Sequence, residues 1–204
     1  MTTLRAQRGL TLIEVTLMLT VSTALVAALL PTMTATVRHG EFARAMADMT
    51  AITNQVLQAY AVDMGQIPTI NGSPAGTLVE ILVSDGDIPS EVSVTGSAEW
   101  QRPVDNAGGL VDFLERHLVT NNPRGNPANA YVTTDGTPWR GAYLTAPIDP
   151  DPWGNRYAIN SEWAVGGAED VVIYSAGPDE QIDSPYAADG LTAGDDDLVL
   201  LIAP

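Results

Sequence analysis

The chain has 204 residues, 25 acidic side chains against nine basic ones, a formal net charge of −16 and no cysteine. That length suits one ordinary domain with a real core, and a hydrophobic content of 45% excludes a wholly disordered acidic chain. The absence of Cys excludes a disulfide scaffold, a thiolate zinc site and a cysteine nucleophile. Two His leave little room for a multi-histidine metal centre, and the acid excess argues against nucleic-acid binding.

Charge and apolarity are segregated along the chain. All the basic residues are Arg, and two of them, Arg5 and Arg8, lie in the first nine positions, which hold no acid. From Leu10 to Leu30 follows a run of Leu, Ile, Val, Met, Ala, Thr and Ser broken by one charge, Glu14. At a helical rise of ~1.5 Å per residue this run is roughly 31 Å long, enough to cross a bilayer core. The arginines before it predict a cytoplasmic N-terminus, with the rest of the chain on the far side. A discarded signal peptide has the same basic start and apolar stretch. Glu14 argues against that reading, because a carboxylate at membrane depth is costly and normally has a partner.

The segment Arg8-Gly9-Leu10-Thr11-Leu12-Ile13-Glu14-Val15 resembles the N-terminal signature of type IV pilins and type II secretion pseudopilins. The resemblance implies that a prepilin peptidase cuts between Gly9 and Leu10 and methylates the new N-terminus at Leu10, although Phe is usual there. It also implies that Glu14 is an assembly residue, its carboxylate neutralising the α-amino group of a neighbouring subunit. An ammonium and a carboxylate in apolar surroundings are each tolerable only when paired. Pro31 lies where these proteins commonly have a helix-bending proline.

Beyond Pro31 the pattern becomes amphipathic. Phe42, Met46, Met49, Thr53, Val56 and Tyr60 recur at spacings of four and three with Ile52 beside them, predicting one face packed on a domain. The Met pair at 46 and 49 reads as core packing. Gly65 suits a C-terminal cap and Pro68 a stop, so one helix is expected from Leu10 to about Val62. The expected organisation is a leader over 1–9, a transmembrane and filament-core half-helix over 10–30, an amphipathic half over 31–63, and a head over 64–204. Within the head, 66–137 is a variable region and 138–204 a β-sheet with an acidic loop. Leu78–Val83 and Leu110–Val119 read as short helical segments, and His117, alone on the second, is assigned no function.

The last third carries a second resemblance. Trp139-Arg140-Gly141-Ala142-Tyr143-Leu144, then Asp151-Pro152-Trp153-Gly154-Asn155-Arg156-Tyr157, then Ser175-Ala176-Gly177-Pro178-Asp179 are similar in order to segments of the major pseudopilin of type II secretion. Asp-Pro and Gly-Asn are turn formers, and Trp153 between them offers a large apolar anchor. Tyr157–Ile159, Val171–Tyr174 and Leu198–Ile202 read as strands, with Gly166-Gly167 as a turn. The fold class expected is α+β: one long N-terminal helix packed on a small antiparallel sheet, as in type IV pilins.

From Glu169 to Asp197 the chain holds nine acids and no base. Hard oxygen ligands on a Gly-, Pro- and Ser-rich loop suit Ca²⁺, and a solvated acidic loop is the alternative; the spacing is not that of an EF-hand. The resemblance implies a structural Ca²⁺ held by Asp179, Asp196 and Asp197, with the backbone carbonyls of Ala176 and Gln181 as further ligands. The stretch from Asp179 to Asp196 is longer than usual in that family, and Asp183, Asp189 and Asp195 lie within it.

No nucleophile–base arrangement or catalytic carboxylate pair emerges, so no enzymatic activity is expected. The resemblance implies a filament subunit of a type II secretion pseudopilus. Its expected partners are copies of itself, other pseudopilins, the prepilin peptidase and the inner-membrane secretion platform, and its head lies in the periplasm. A type IV pilin or minor pilin of a surface filament is the alternative.

Overall fold

A computed structural model describes residues 10–65, 68–73, 75–91, 98–104, 110–134, 136–164, 170–186 and 193–203. Helix α1 runs over Leu12–Val56 without interruption, and a π-helical turn, Leu57–Met64, continues it to Gly65. Gly65 has φ 58°, the left-handed conformation that ends a helix at low cost only for glycine. Pro31 sits inside α1 and lacks the N–H that would bond the carbonyl of Ala27.

The residues of α1 up to Glu41 form one unit, and those from Phe42 belong to a second, compact unit with the sheet. In the first unit the apolar side chains from Leu10 to Val37 are exposed on every side of the helix. Its threonines do not present free hydroxyls. Thr16, Thr20 and Thr32 donate to carbonyls three residues back, Thr23 and Thr36 to carbonyls four back, and Thr34 to both Leu30 and Pro31. This back-bonding lets a helix carry hydroxyls while showing mainly C–H surface to its surroundings. The helix is long and apolar enough to cross a membrane once.

The sheet has the order β3-β1-β4-β5-β7, with β1 Ile81–Val83, β3 Val111–Phe113, β4 Ala158–Ile159, β5 Val171–Ser175 and β7 Leu198–Ala203. Three of its pairings are antiparallel; β1 and β3 run parallel, with Ile81 opposite Val111 and Val83 opposite Phe113. A two-stranded parallel ladder, β2 Ser90–Glu91 with β6 Gln181–Ile182, lies apart from it. The expected α+β architecture, one long helix packed on a small, mainly antiparallel sheet, is therefore present.

Strand alternation divides the core. Val171 and Ile173 of β5 join Leu82, Ile159, Leu198 and Leu200 on the side where Met49, Ile52 and Val56 of α1 pack. Val172 and Tyr174 join Ile81, Val83, Trp100 and Ile182 on the other side. Trp100 stacks on Tyr174 at 5.1 Å and meets Tyr186 edge-on at 4.8 Å. Arg156 is buried beside them, donating from Nη2 to the carbonyls of Trp100 (2.6 Å) and Arg102 (2.7 Å).

Three expectations are corrected. The buried face of α1 is Ala45, Met49, Ile52, Thr53 and Val56, so it is rotated toward Ala45 and away from Met46, which is 37% exposed while Met49 is 0%. Small Ala45 permits close approach, whereas the sequence pattern weighted the larger Met. Leu78–Val83 is not helical: Ile81–Val83 is a strand buried on both faces, a case that a short apolar run cannot distinguish from buried helix. Of Leu110–Val119, only Leu114–Leu118 (α2) is helical, because Val111–Phe113 is drawn into register with β1. The expected turn at Gly166-Gly167 and the side chain of Tyr60 lie outside the described residues.

Candidate assembly helix and cation site

Leu10 is exposed at the start of the described chain, and Gly9 and the leader lie outside it. Thr11 and Glu14 form a reciprocal capping box. The Thr11 amide and hydroxyl donate to Glu14 Oε2 at 2.8 and 2.9 Å, and the Glu14 amide donates to Thr11 Oγ1 at 3.3 Å. The sequence signal for this cap is a threonine followed three residues later by glutamate ahead of an apolar run. Glu14 is the one acid among the exposed apolar residues of this unit before Glu41.

The Asp151–Tyr157 motif is a turn built around one carboxylate. Asp151 Oδ1 accepts from the amides of Trp153 (3.0 Å) and Asn155 (2.8 Å), and Oδ2 accepts from Ser175 Oγ (2.7 Å). Burial raises the Asp151 pKa, opposed by these hydrogen bonds. Trp153 is set edge-on against Phe42 at 5.2 Å, and Arg44 donates to the carbonyl of Pro150 (3.2 Å). The turn thereby fixes the sheet to the part of α1 it packs on.

The acidic loop leaves the end of β5, where Ser175 meets Asp151. One carboxylate oxygen each from Asp179, Asp183 and Asp195 lie within 4.8 Å of one another. Oxygens bound at 2.3–2.6 Å on opposite sides of one Ca²⁺ are about 5 Å apart, so this separation suits a single ion. Oδ1 of Asp196 is buried with no hydrogen-bond partner, and burial followed by the neighbouring charge of Asp179 raises the Asp196 pKa. Asp179 also accepts from the amide and side chain of Gln181 at 2.9 and 3.1 Å.

Two glycines let the strands of this loop meet. Gly177, at φ 69°, and Gly194 lie so close to the backbone of Asp196 and of Asp183, respectively, that a Cβ would collide with it. Three convergent carboxylates offer the all-oxygen donor set that a hard divalent cation could use.

Among the residues that the resemblance implies as ligands, Asp179 is in the three-carboxylate cluster, whereas Asp196 is not one of its three members. Asp197 is buried, and its carboxylate accepts from Tyr174 Oη (3.2 Å) and the Asp183 amide (2.9 Å). Burial pushes its pKa up to about 6, against those hydrogen bonds. Ala176 is buried, and the carbonyl of Gln181 lies 3.3 Å from Tyr174 Oη. Asp189 lies outside the described residues.

A buried polar network was not anticipated. His117 is wholly buried, with Nε2 3.0 Å from Asp112 Oδ2 and Nδ1 2.6 Å from Tyr131 Oη. An ionised carboxylate only accepts, so Nε2 carries a proton in this arrangement. Asp112 also takes the Arg124 amide (2.7 Å) and Arg116 Nη1 (2.7 Å). This cluster ties β3, α2 and the loop to Tyr131 together, and its burial suits a structural role for His117.

No protein-family model, curated protein or solved structure matches the chain.

Proposed function

We propose that this chain is a structural, non-enzymatic subunit of a type II secretion pseudopilus, polymerising through its N-terminal helix to help drive folded proteins across the outer membrane. The observation that carries the reading is the first part of α1, apolar on every side, uncovered from Leu10 to Val37 and bearing a single acid, Glu14. Such a surface needs lipid before assembly, and in a filament it finds the helices of neighbouring copies. The N-terminus then lies on the cytoplasmic side of the inner membrane and the head in the periplasm, as Arg5 and Arg8 favour. The prepilin peptidase, other pseudopilins and the inner-membrane platform are the partners this role requires.

In this reading a calcium ion at the acidic cluster fastens the C-terminal loop. Binding to the folded state alone stabilises that state by mass action, the job a disulfide does in other small heads. Supporting this are the carboxylate spacing, the orphaned Asp196 oxygen and the absence of Cys.

Co-expression of the full chain with a prepilin peptidase tests the function. Mass spectrometry should find cleavage after Gly9 with methylation at Leu10, and electron microscopy should find filaments that depend on Glu14. An uncleaved chain that forms no filament sinks the proposal. Cleaved chains that build surface fibres without supporting secretion indicate a surface pilin instead.

A further inference from the structure

The chain has one Asn-Gly step, Asn71-Gly72. It lies in a turn whose ends are joined by the bridge of Thr69 with Leu78. We propose that Asn71 is a site of spontaneous covalent modification, its side-chain amide converting to an acid after attack by the Gly72 backbone nitrogen.

The reaction needs only water. The Gly72 nitrogen gives its proton to solvent base and bonds to Cγ of Asn71. The Cγ–Nδ2 bond breaks, and Nδ2 leaves as ammonia. Water then opens the five-membered imide at either carbonyl. One opening restores the main chain with an aspartate in place of Asn71; the other routes the main chain through the side chain and lengthens it by a methylene. In sum, a water is consumed and an ammonia released, with no oxidant or reductant.

The turn holds the reacting groups in place. Asn71 Oδ1 accepts from the Ser73 amide at 3.3 Å, and it packs so closely on Gly76 that a Cβ there would collide with it. The carboxamide is therefore fixed over the turn, with a donor facing the oxygen on which charge develops as the nitrogen adds to Cγ. The leaving Nδ2 is on the other arm of the carboxamide, and among the described residues none bonds it. Asn71 is exposed, which admits the water. Gly72 has no side chain to crowd the approach, and its amide is tied only by a long contact to the Thr69 carbonyl, 3.4 Å.

The lengthened product does not fit the head. Gly72 is buried at φ 65°, and a Cβ on it would collide with the carbonyls of Asn129 and Ala130. Next in the chain, Tyr131 Oη accepts from the Thr69 amide at 3.3 Å. A methylene added before Gly72 pushes the turn off the loop that leads to the His117 network, so conversion loosens the head as the protein ages.

The test incubates the full chain in detergent micelles, in mildly alkaline buffer at physiological temperature, beside a sample unfolded in urea. In the folded sample, mass spectrometry of the peptide holding Asn71 should find a gain of one mass unit, and fragmentation should find both aspartate and its lengthened isomer. Asn71→Gln, in which attack needs a six-membered ring, should stay unchanged. The melting temperature of the aged parent should fall in step with the lengthened isomer. Freshly made Asn71→Asp, which carries the charge without the methylene, should melt close to the parent. A folded parent that keeps its mass overturns the proposal, whether or not the unfolded sample converts. Equal modification of Asn71→Gln also overturns it, because the reacting site then lies elsewhere. Equal melting losses in Asn71→Asp and in the aged parent overturn the loss of fit at Gly72.

Discussion

The hydroxyl of Ser175 donates a 2.7 Å hydrogen bond to Oδ2 of Asp151, and both residues are buried. This bond joins two motifs far apart in sequence: the turn that holds Trp153 against Phe42, and the end of β5 from which the acidic loop departs. Ser175→Ala leaves a buried carboxylate one donor short. A lost hydrogen bond to a charged group costs about 1.5–3 kcal/mol, and that loss should appear in denaturant unfolding of the full chain. The Asp151 pKa, already raised by burial, should rise further in carboxylate NMR titration. An unchanged unfolding midpoint would show that the bond contributes nothing net.

The Asp112 network predicts loss of stability in acid. Burial opposes ionisation of Asp112, but the hydrogen bond and charge of His117, the Arg124 amide and Arg116 outweigh it, lowering the pKa from 3.8 to about 2. A carboxyl whose folded pKa is depressed stabilises the native state above its unfolded value. That contribution is lost as pH falls from about 4 toward 2, and its size is roughly 2 kcal/mol. Asp112→Asn should flatten this part of the stability–pH profile and lower stability at neutral pH. A variant profile parallel to the parent's between pH 5 and 2 would contradict the assignment.

The parts legible in sequence were those with local causes. The long apolar run, the Gly65 cap and the strands around Val171 and Leu198 follow from composition, periodicity and turn chemistry over a few residues. The parts missed depend on partners distant in the chain. Ile81–Val83 is a strand because Val111 and Ile159 lie beside it, and His117 is buried because Asp112 and Tyr131 enclose it. In the acidic loop, residue type left a cation site and a solvated loop both open. The pairing of Asp183 with Asp195 depends on the close approach at Gly194, which spacing does not reveal.

Rotation of the buried face of α1 separates two methionines three positions apart. Met49 is wholly enclosed by the core, whereas Met46 is 37% exposed. Truncating a buried Met to Ala costs about 2–5 kcal/mol through lost burial and the cavity left behind. Met46→Ala should cost less than about 1 kcal/mol, as is usual for exposed positions. Unfolding measurements that find the two variants equally destabilised would place the helix face back where sequence periodicity put it.

Glu14 has two jobs that separate by substitution. Its carboxylate receives the Thr11 amide and hydroxyl in the capping box, and in the proposed filament it also neutralises the amino group of a neighbouring subunit. Glu14→Gln keeps an oxygen that can accept from Thr11 but removes the charge; Glu14→Ala removes both. Thr11→Ala removes the hydroxyl half of the cap and leaves the charge. If the charge governs assembly, Glu14→Gln and Glu14→Ala should both fail to form filaments, whereas Thr11→Ala should assemble with a helix start that exchanges amide protons faster. If capping alone mattered, Glu14→Gln would assemble normally and Thr11→Ala would be impaired. Electron microscopy of cleaved chains, paired with hydrogen exchange in micelles, distinguishes the two, because exchange reports the cap independently of the filament.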